Sequence, residues 1–200
     1  MSVGSGDLGG KTEANVEPAG AFPDGFVVRH PRPSDHGVLQ GALTDWWGGQ
    51  GGEAGAQQRR LLLPRLFLQH FSETSFLVEE AAPAGAEGGT GEGAALRAFL
   101  IGFLSQSDPE TAYIHFVAVH PEGRRGGLGS ALYRRFFELA RAHGRARVRS
   151  ITSPVNRNSV AYHKRMGFRI EPGDRVEDGV AVHTDYDGPG LDRVSFVREL

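Results

Sequence analysis

Between Val117 and Leu132 the chain reads VAVHPEGRRGGLGSAL, and this stretch limits the fold more than any other. An apolar run ends at His120-Pro121, two arginines follow, and Gly126, Gly127 and Gly129 surround a single leucine. Leu128, Leu132, Phe136 and Leu139 then recur at helical spacing, which predicts a helix over Gly127–His143. The first N–H groups of a helix have no internal partner and carry a partial positive charge. Glycine at such a turn lets an anion approach the backbone with no Cβ in the way. Gly127, Gly129 and Ser130 can offer those amides, and Arg124 and Arg125 add mobile charge. The stretch therefore reads as a strand, an anion-binding turn and a helix.

Two familiar phosphate loops do not fit. A P-loop ends in Gly-Lys-Ser/Thr, and here Gly129-Ser130 has no lysine before the serine. A dinucleotide loop needs glycine where Leu132 stands and an acidic residue after the next strand. The rest of the composition narrows the class further. There is no cysteine among the 200 residues, which excludes disulfides, thiolate zinc sites and a cysteine nucleophile, and suits a cytoplasmic protein. A net charge of −2 argues against a nucleic-acid partner bound by bulk charge. No run approaches the roughly 20 apolar residues that span a bilayer, so no membrane partner is expected.

Along the chain, residues 1–25 are rich in Gly, Ser and Glu and read as a flexible N-terminal tail before a single domain over 26–200. Phe26–Arg29 reads as a strand. The next helix is capped at Ser34 or Asp35, with Val38, Leu39, Ala42 and Leu43 on its apolar face. Residues 48–55 form a glycine-rich loop, and Arg60–Phe71 is a helix interrupted or restarted at Pro64. Ser75–Glu80 is a strand and residues 81–94 a flexible surface loop. Leu96–Gln106 and Thr111–His120 form an antiparallel hairpin turned at Asp108-Pro109. Arg147–Thr152 is a strand, Asn158–Met166 a helix stopped by Gly167, and Arg169–Glu171 and Val194–Glu199 close the sheet. The expected class is α/β (α+β): a mixed, mostly antiparallel sheet of six to seven strands, flanked by helices on both faces.

RRGGLG, Arg124 to Gly129, matches the Arg/Gln-x-x-Gly-x-Gly/Ala signature of the GNAT superfamily of N-acetyltransferases. VAVHP before it and NRNSVAYHKRMGF, Asn156 to Phe168, also resemble that family. The likeness is strong over Phe99–Phe168, and the order of elements extends it to Phe26–Leu200. It implies the GNAT fold and acetyl-coenzyme A as co-substrate. It also implies a pyrophosphate held by Arg124, Arg125, Gly127, Gly129 and Ser130. Val117 and Val119 would offer strand backbone to the pantetheine arm, with Asn156 as a hydrogen-bond partner and the Val119 N–H facing the oxyanion.

Family members often carry a glutamate base on the strand before the signature; aligning on Val119-His120-Pro121 puts His115 there. Period-two alternation aims His115 with Tyr113, Val117 and Val119. A neutral imidazole is a competent base near neutrality, and a hydrogen-bonded wall residue is the competing reading. The family's acid is a tyrosine, but counting from Asn156 to Gly167-Phe168 puts His163 in that place. Neighbouring helix positions point about 100° apart, so His163 is expected at the thiolate, as its acid or only as a binder of the sulfur region, and Tyr162, the other catalytic candidate, is more often core in such a position.

On the acceptor side, Trp46 and Trp47 beside the glycine-rich loop read as an aromatic wall, with His70 as a further pocket residue. Asp185 and Asp187 read as an acidic loop that could attract an amine or, as the commoner explanation, is simply solvated. No histidines have metal-ligand spacing, so no metal is expected, and no Gly-x-Ser-x-Gly elbow supports a serine hydrolase. The expected activity is transfer of an acetyl group from acetyl-coenzyme A to a primary amine of a small molecule, by direct attack in a ternary complex. A coenzyme A-binding sensor without turnover, or acetylation of a protein N-terminus or lysine, are the alternatives. A homodimer stays open.

Overall fold

The alternating apolar runs become strands because period-two patterning suits a sheet with both faces covered. The structure, a computed structural model, describes residues 22–47, 51–81 and 94–200. The tail and the two loops expected over 1–25, 48–55 and 81–94 lie outside the described residues at 1–21, 48–50 and 82–93. The strands are β1 (Phe26–Arg29), β2 (Phe76–Glu80), β3 (Leu96–Leu104), β4 (Thr111–Val119), β5 (Arg147–Thr152), β6 (Arg169–Ile170), β7 (Arg175–Glu177), β8 (Val180–Val182) and β9 (Val194–Glu199). Seven of them form one sheet in the order β1-β2-β3-β4-β5-β9-β6, while β7 and β8 make a separate hairpin that the apolar pattern does not announce. Only β4 and β5 pair in parallel; the other neighbours are antiparallel.

Helices cover both faces. On one, α4 (Leu128–Ala142) and α5 (Arg157–Arg165) bury Leu132, Phe136 and Val160 against Phe76, Leu100, Ile114 and Phe196. On the other, α1 (His36–Asp45) and the short α3 (Leu66–His70) bury Leu39, Leu43 and Leu68 against Leu77, Phe99, Ile101 and Ala118. Val38 departs from the expected apolar face and is 60% exposed. A further helix, α2 (Gly52–Leu61), occupies half of the expected glycine-rich loop. Gly51 opens it at φ 76°, and Glu53 in its first turn with Arg59 and Arg60 in its last suit the helix dipole. The chain breaks between α2 and α3 around Pro64, where the interruption was expected. No helix among the described residues is long and apolar enough to cross a membrane.

One irregularity organises the sheet. The β3–β4 ladder pairs Ile101 with Phe116 and then Gly102 with Ile114, so His115 is the extra residue of a β-bulge. The alternation of β4 changes parity there. Tyr113 and His115 share a face with Phe116 and Ala118, on the α1 and α3 side. Val117 and Val119 point to the α4 side, where they pack on that core. The expectation that His115 points with Val117 and Val119 is thus corrected: a strict period of two holds only without a bulge. Gly102 lies across from it, where a Cβ would sit 2.4 Å from the Phe136 ring and 2.9 Å from the Tyr113 carbonyl oxygen.

Asp35 does not cap α1. Its carboxylate takes two hydrogen bonds of 2.8 Å from Arg29, whose guanidinium also reaches Glu79 at 2.6 and 2.9 Å. Burial alone would raise the Asp35 carboxyl, but Arg29 and the Arg32 N–H outweigh it and hold the pKa below its ordinary value. Removing the cation leaves two largely buried carboxylates uncompensated, so Arg29→Met is expected to cost about 3 kcal/mol in urea unfolding. A carboxylate with a depressed folded pKa stabilises above its unfolded pKa, and that share is lost as pH falls through the folded value. The wild type is therefore expected to lose stability below about pH 4, with a shallower slope for Arg29→Met.

Candidate active site

The backbone of β4 supplies the first part of the site. His120 N–H donates to the Arg97 carbonyl at 2.8 Å, so strand alternation turns the N–H and C=O groups of Val117 and Val119 away from β3. The parallel ladder to β5 joins Thr111–Tyr113 with Arg147–Arg149 and stops there. Beyond it the two strands part, and the Val117 and Val119 backbone groups face the opening.

The glycine-rich turn closes one end of this opening. After a 3-10 turn over Pro121–Gly123, Arg125 takes φ 88° and Gly127 φ 84°. A left-handed arginine is strained, which is common where a loop is shaped around a ligand. The first bond of α4 runs from Ala131 N–H to Gly127 O at 3.0 Å, so the Leu128, Gly129 and Ser130 amides lie ahead of it. The Ser130 hydroxyl donates to Gly127 O at 2.8 Å. Arg124 turns inward and donates to the carbonyls of Trp46 at 2.7 Å and Val119 at 3.3 Å. The exposed Arg125 is the freer of the two guanidinium groups.

On α5 the expected positions of two neighbours are exchanged. His163 is 5% exposed and stacks on Phe196 with centroids 4.5 Å apart. Its Nδ1–H donates to the Ser159 carbonyl at 2.8 Å, so Nε2 accepts from the Tyr133 hydroxyl at 3.1 Å. Burial lowers its pKa and keeps it neutral, with both ring nitrogens occupied. Tyr162 instead reaches the start of α4: a Cβ on Gly129 would lie 2.7 Å from its hydroxyl and 3.4 Å from a Val119 methyl. That hydroxyl is buried and has no hydrogen-bond partner among the described residues. Burial raises its pKa, against Arg165, whose guanidinium lies over its ring at 4.8 Å and close enough to oppose the shift by charge and by hydrogen bonding though without a bond of ordinary geometry, and against the charge of Arg134. The correction follows from helix phase, since His163 falls on the same stripe as the buried Val160. Asn156 caps α5, its Oδ1 accepting from Ser159 N–H at 3.2 Å, which leaves its amide NH2 to donate.

His115 flanks the opening from the other face. Its Nε2–H donates to the Leu62 carbonyl at 2.5 Å, and its ring stacks on Phe67 at 4.2 Å. The lone pair is therefore on Nδ1. Burial lowers its pKa, with the Leu62 carbonyl and Asp187 pulling the other way. Phe67 and the Leu62 carbonyl carry no sequence signal; only the chain break at Pro64 brings them to β4. The expected aromatic wall is corrected at Trp46, which is 7% exposed and packs on Phe99 and His120 in the core. Trp47 lies edge-on to Phe116 with Arg59 over its ring, and His70 is exposed at the end of α3.

The acetyltransferase (GNAT) family matches residues 56–168. The chain belongs to that family. Its fold recurs among solved structures. Ard1 from Thermoplasma volcanium superposes with a TM-score of 0.59 at 21% identity, covering 88% of this chain and 98% of that one. Diaminobutyrate acetyltransferase from Paenibacillus lautus, in complex with L-2,4-diaminobutyric acid and coenzyme A, gives a TM-score of 0.55 at 20% identity, covering 86% and 93%. In sequence, L-2,4-diaminobutyric acid acetyltransferase from Nocardia farcinica (strain IFM 10152) is 35% identical over 63 residues. That match spans 32% of this chain and one third of the relative's length.

The contact between Gly129 and Tyr162 can be tested without any assumption about catalysis. Gly129→Ala is expected to destabilise by about 1–2 kcal/mol, because the new methyl meets the tyrosine hydroxyl. Tyr162→Phe, which removes a hydroxyl with no partner, is expected to relieve most of that loss in the double variant, read by urea unfolding as a double-mutant cycle.

Proposed function

We propose that this acetyltransferase moves the acetyl group of acetyl-coenzyme A onto a primary amine of a small molecule, by direct attack in a ternary complex. The observation that carries the reading is the buried, unpartnered Tyr162 hydroxyl beside Gly129 in the first turn of α4. An orphaned buried donor and a row of unpaired strand amides fit a ligand that is thin in the middle and anionic at one end. The partial likeness to diaminobutyric acid acetyltransferase supports a small amine as acceptor. We read residues 26–200 as one catalytic domain working in the cytoplasm.

Acetyl-coenzyme A supplies a thioester whose carbonyl carbon takes the amine and whose sulfur departs. Arg125 and the Leu128, Gly129 and Ser130 amides hold its pyrophosphate. Arg124 positions the turn through the Trp46 and Val119 carbonyls, and Gly127 at φ 84° lets the chain enter α4. Val117 and Val119 align the pantetheine arm, the Asn156 amide adds a donor, and the Val119 N–H stabilises the oxyanion. His115 Nδ1 takes a proton from the incoming ammonium, and the Tyr162 hydroxyl returns one to the sulfur. Base and acid stand on opposite faces of the sheet, so the amine enters on the α3 side and the thiol leaves on the α5 side. The sensor reading rests on histidine replacing the acid, and a tyrosine hydroxyl beside the first turn of α4 argues for turnover instead.

Tyr162→Phe is expected to lower kcat by about a hundredfold while coenzyme A affinity by calorimetry changes little. His163→Gln is expected to lower thermal stability instead. The base must be neutral, and burial holds the His115 pKa below the ordinary 6.5. Thiol release is therefore expected to rise with pH along an acid limb centred below 6.5 and to be level above it. His115→Gln is expected to abolish this limb; an identical limb in the variant would remove His115 as the base.

A further inference from the structure

The β8–β9 connection builds a charged rim on the same face as His115. His183 and Arg193 form a two-way backbone bridge, with bonds of 2.8 and 3.0 Å, next to the buried pair Val182 and Val194. Alternation from these valines, which pack on the α4 side, puts the His183 and Arg193 side chains on the Tyr113 and His115 side. The loop between them is pinned by its own carboxylates. Asp174 accepts from Thr184, Asp192 from Asp185 N–H at 2.9 Å, and Asp185 from Gly190 N–H at 2.6 Å. Asp187 differs, since its carboxylate meets the Arg193 Nε at 2.6 Å, with side-chain exposures of 38% and 14%. Asp187 is near enough to act electrostatically on both His115 and Tyr113. The acidic loop, expected to be solvated or to attract an amine, thus contributes one structural aspartate, Asp185, and one, Asp187, that is paired with Arg193.

We propose that the Asp187–Arg193 pair recognises the zwitterionic head of an amino-acid acceptor, Asp187 taking its α-ammonium and Arg193 its α-carboxylate, while a second amine of the same molecule reaches His115. This rests on the acceptor role of the His115 face given above. A carboxylate and a guanidinium side by side favour a ligand that carries both signs, because each new pair compensates the charge it uncovers. A simple polyamine would bring a cation against Arg193, and a simple acid an anion against Asp187. The pinned loop holds the pair in place before binding, which reduces the ordering cost.

The test uses L-2,4-diaminobutyric acid and the corresponding diamine that lacks the carboxyl group. The wild type is expected to prefer the diamino acid in kcat/KM, and Arg193→Met and Asp187→Asn are each expected to reduce that preference about 30-fold. A charge swap, Asp187→Arg with Arg193→Asp, keeps an ion pair but exchanges the signs, so the preference stays lost. Restoration by the swap, or an equal loss for both acceptors in the single variants, would assign the pair to loop structure alone and overturn the proposal. Calorimetric binding of the diamino acid to the wild type and to Arg193→Met reads the head without turnover. An enzyme that binds the diamino acid through Arg193 yet acetylates neither acceptor would contradict the catalytic reading and leave this one standing. A wild type that neither prefers nor binds the diamino acid would overturn it.

Discussion

The β-bulge at His115 is the constraint on which the rest of the site depends. One extra residue on β4, set against Gly102 on β3, bends the strand and ends its parallel pairing with β5 after Tyr113. Without it, strict alternation from Thr111 would turn the Val117 and Val119 amides toward β3 and spend them on that ladder. With it, those amides face an opening, and the valine side chains remain buried on the α4 side. The same parity change leaves His115 on the α3 side, so the residue that opens the sheet also stands beside the opening. Tyr162 comes to the gap from the opposite face. A single backbone irregularity separates the two ends of a proton path.

Much of this was legible from the residues. The glycine turn, the amphipathic stripe of α4 and the hairpin of β3 and β4 follow from patterns that physics makes local. What was not legible depends on contacts between distant segments. No composition rule marks His115 as a bulge, because β-branched and aromatic neighbours read as regular strand on either side. Counting along α5 favoured His163 over Tyr162, but the decision belongs to Phe196 and Tyr133, which bury the imidazole. Trp46 beside glycines looked like a pocket wall until Phe99 enclosed it. The glycines from Gly48 to Gly55 read as a loop, although Glu53 and the Arg59–Arg60 pair suit the two ends of a helix.

Two histidines show how context divides one chemistry. Burial pushes both His115 and His163 below the ordinary imidazole range. His163 has both nitrogens committed inside the core, which makes it a packing residue with a fixed tautomer. His115 has one nitrogen committed to Leu62, and that bond is what leaves the other as a lone pair. The direction of the shift is the same; the count of free nitrogens separates them. The arginines divide similarly, Arg29 holding the β1–β2 edge to the turn that leads into α1 and Arg124 holding the glycine-rich turn, while Arg125 stays exposed where an anion can reach it.

Amide hydrogen exchange with and without acetyl-coenzyme A tests the central claim most directly. In the free protein the Val117, Val119, Gly129 and Ser130 amides should exchange quickly, and the Phe116 and Ala118 amides, which face β3, should be slow. Addition of acetyl-coenzyme A should protect the first four and leave the other two unchanged. If Val117 and Val119 were already slow in the free protein, β4 and β5 would not be open. If they stayed fast with saturating acetyl-coenzyme A, the opening would not be where it binds.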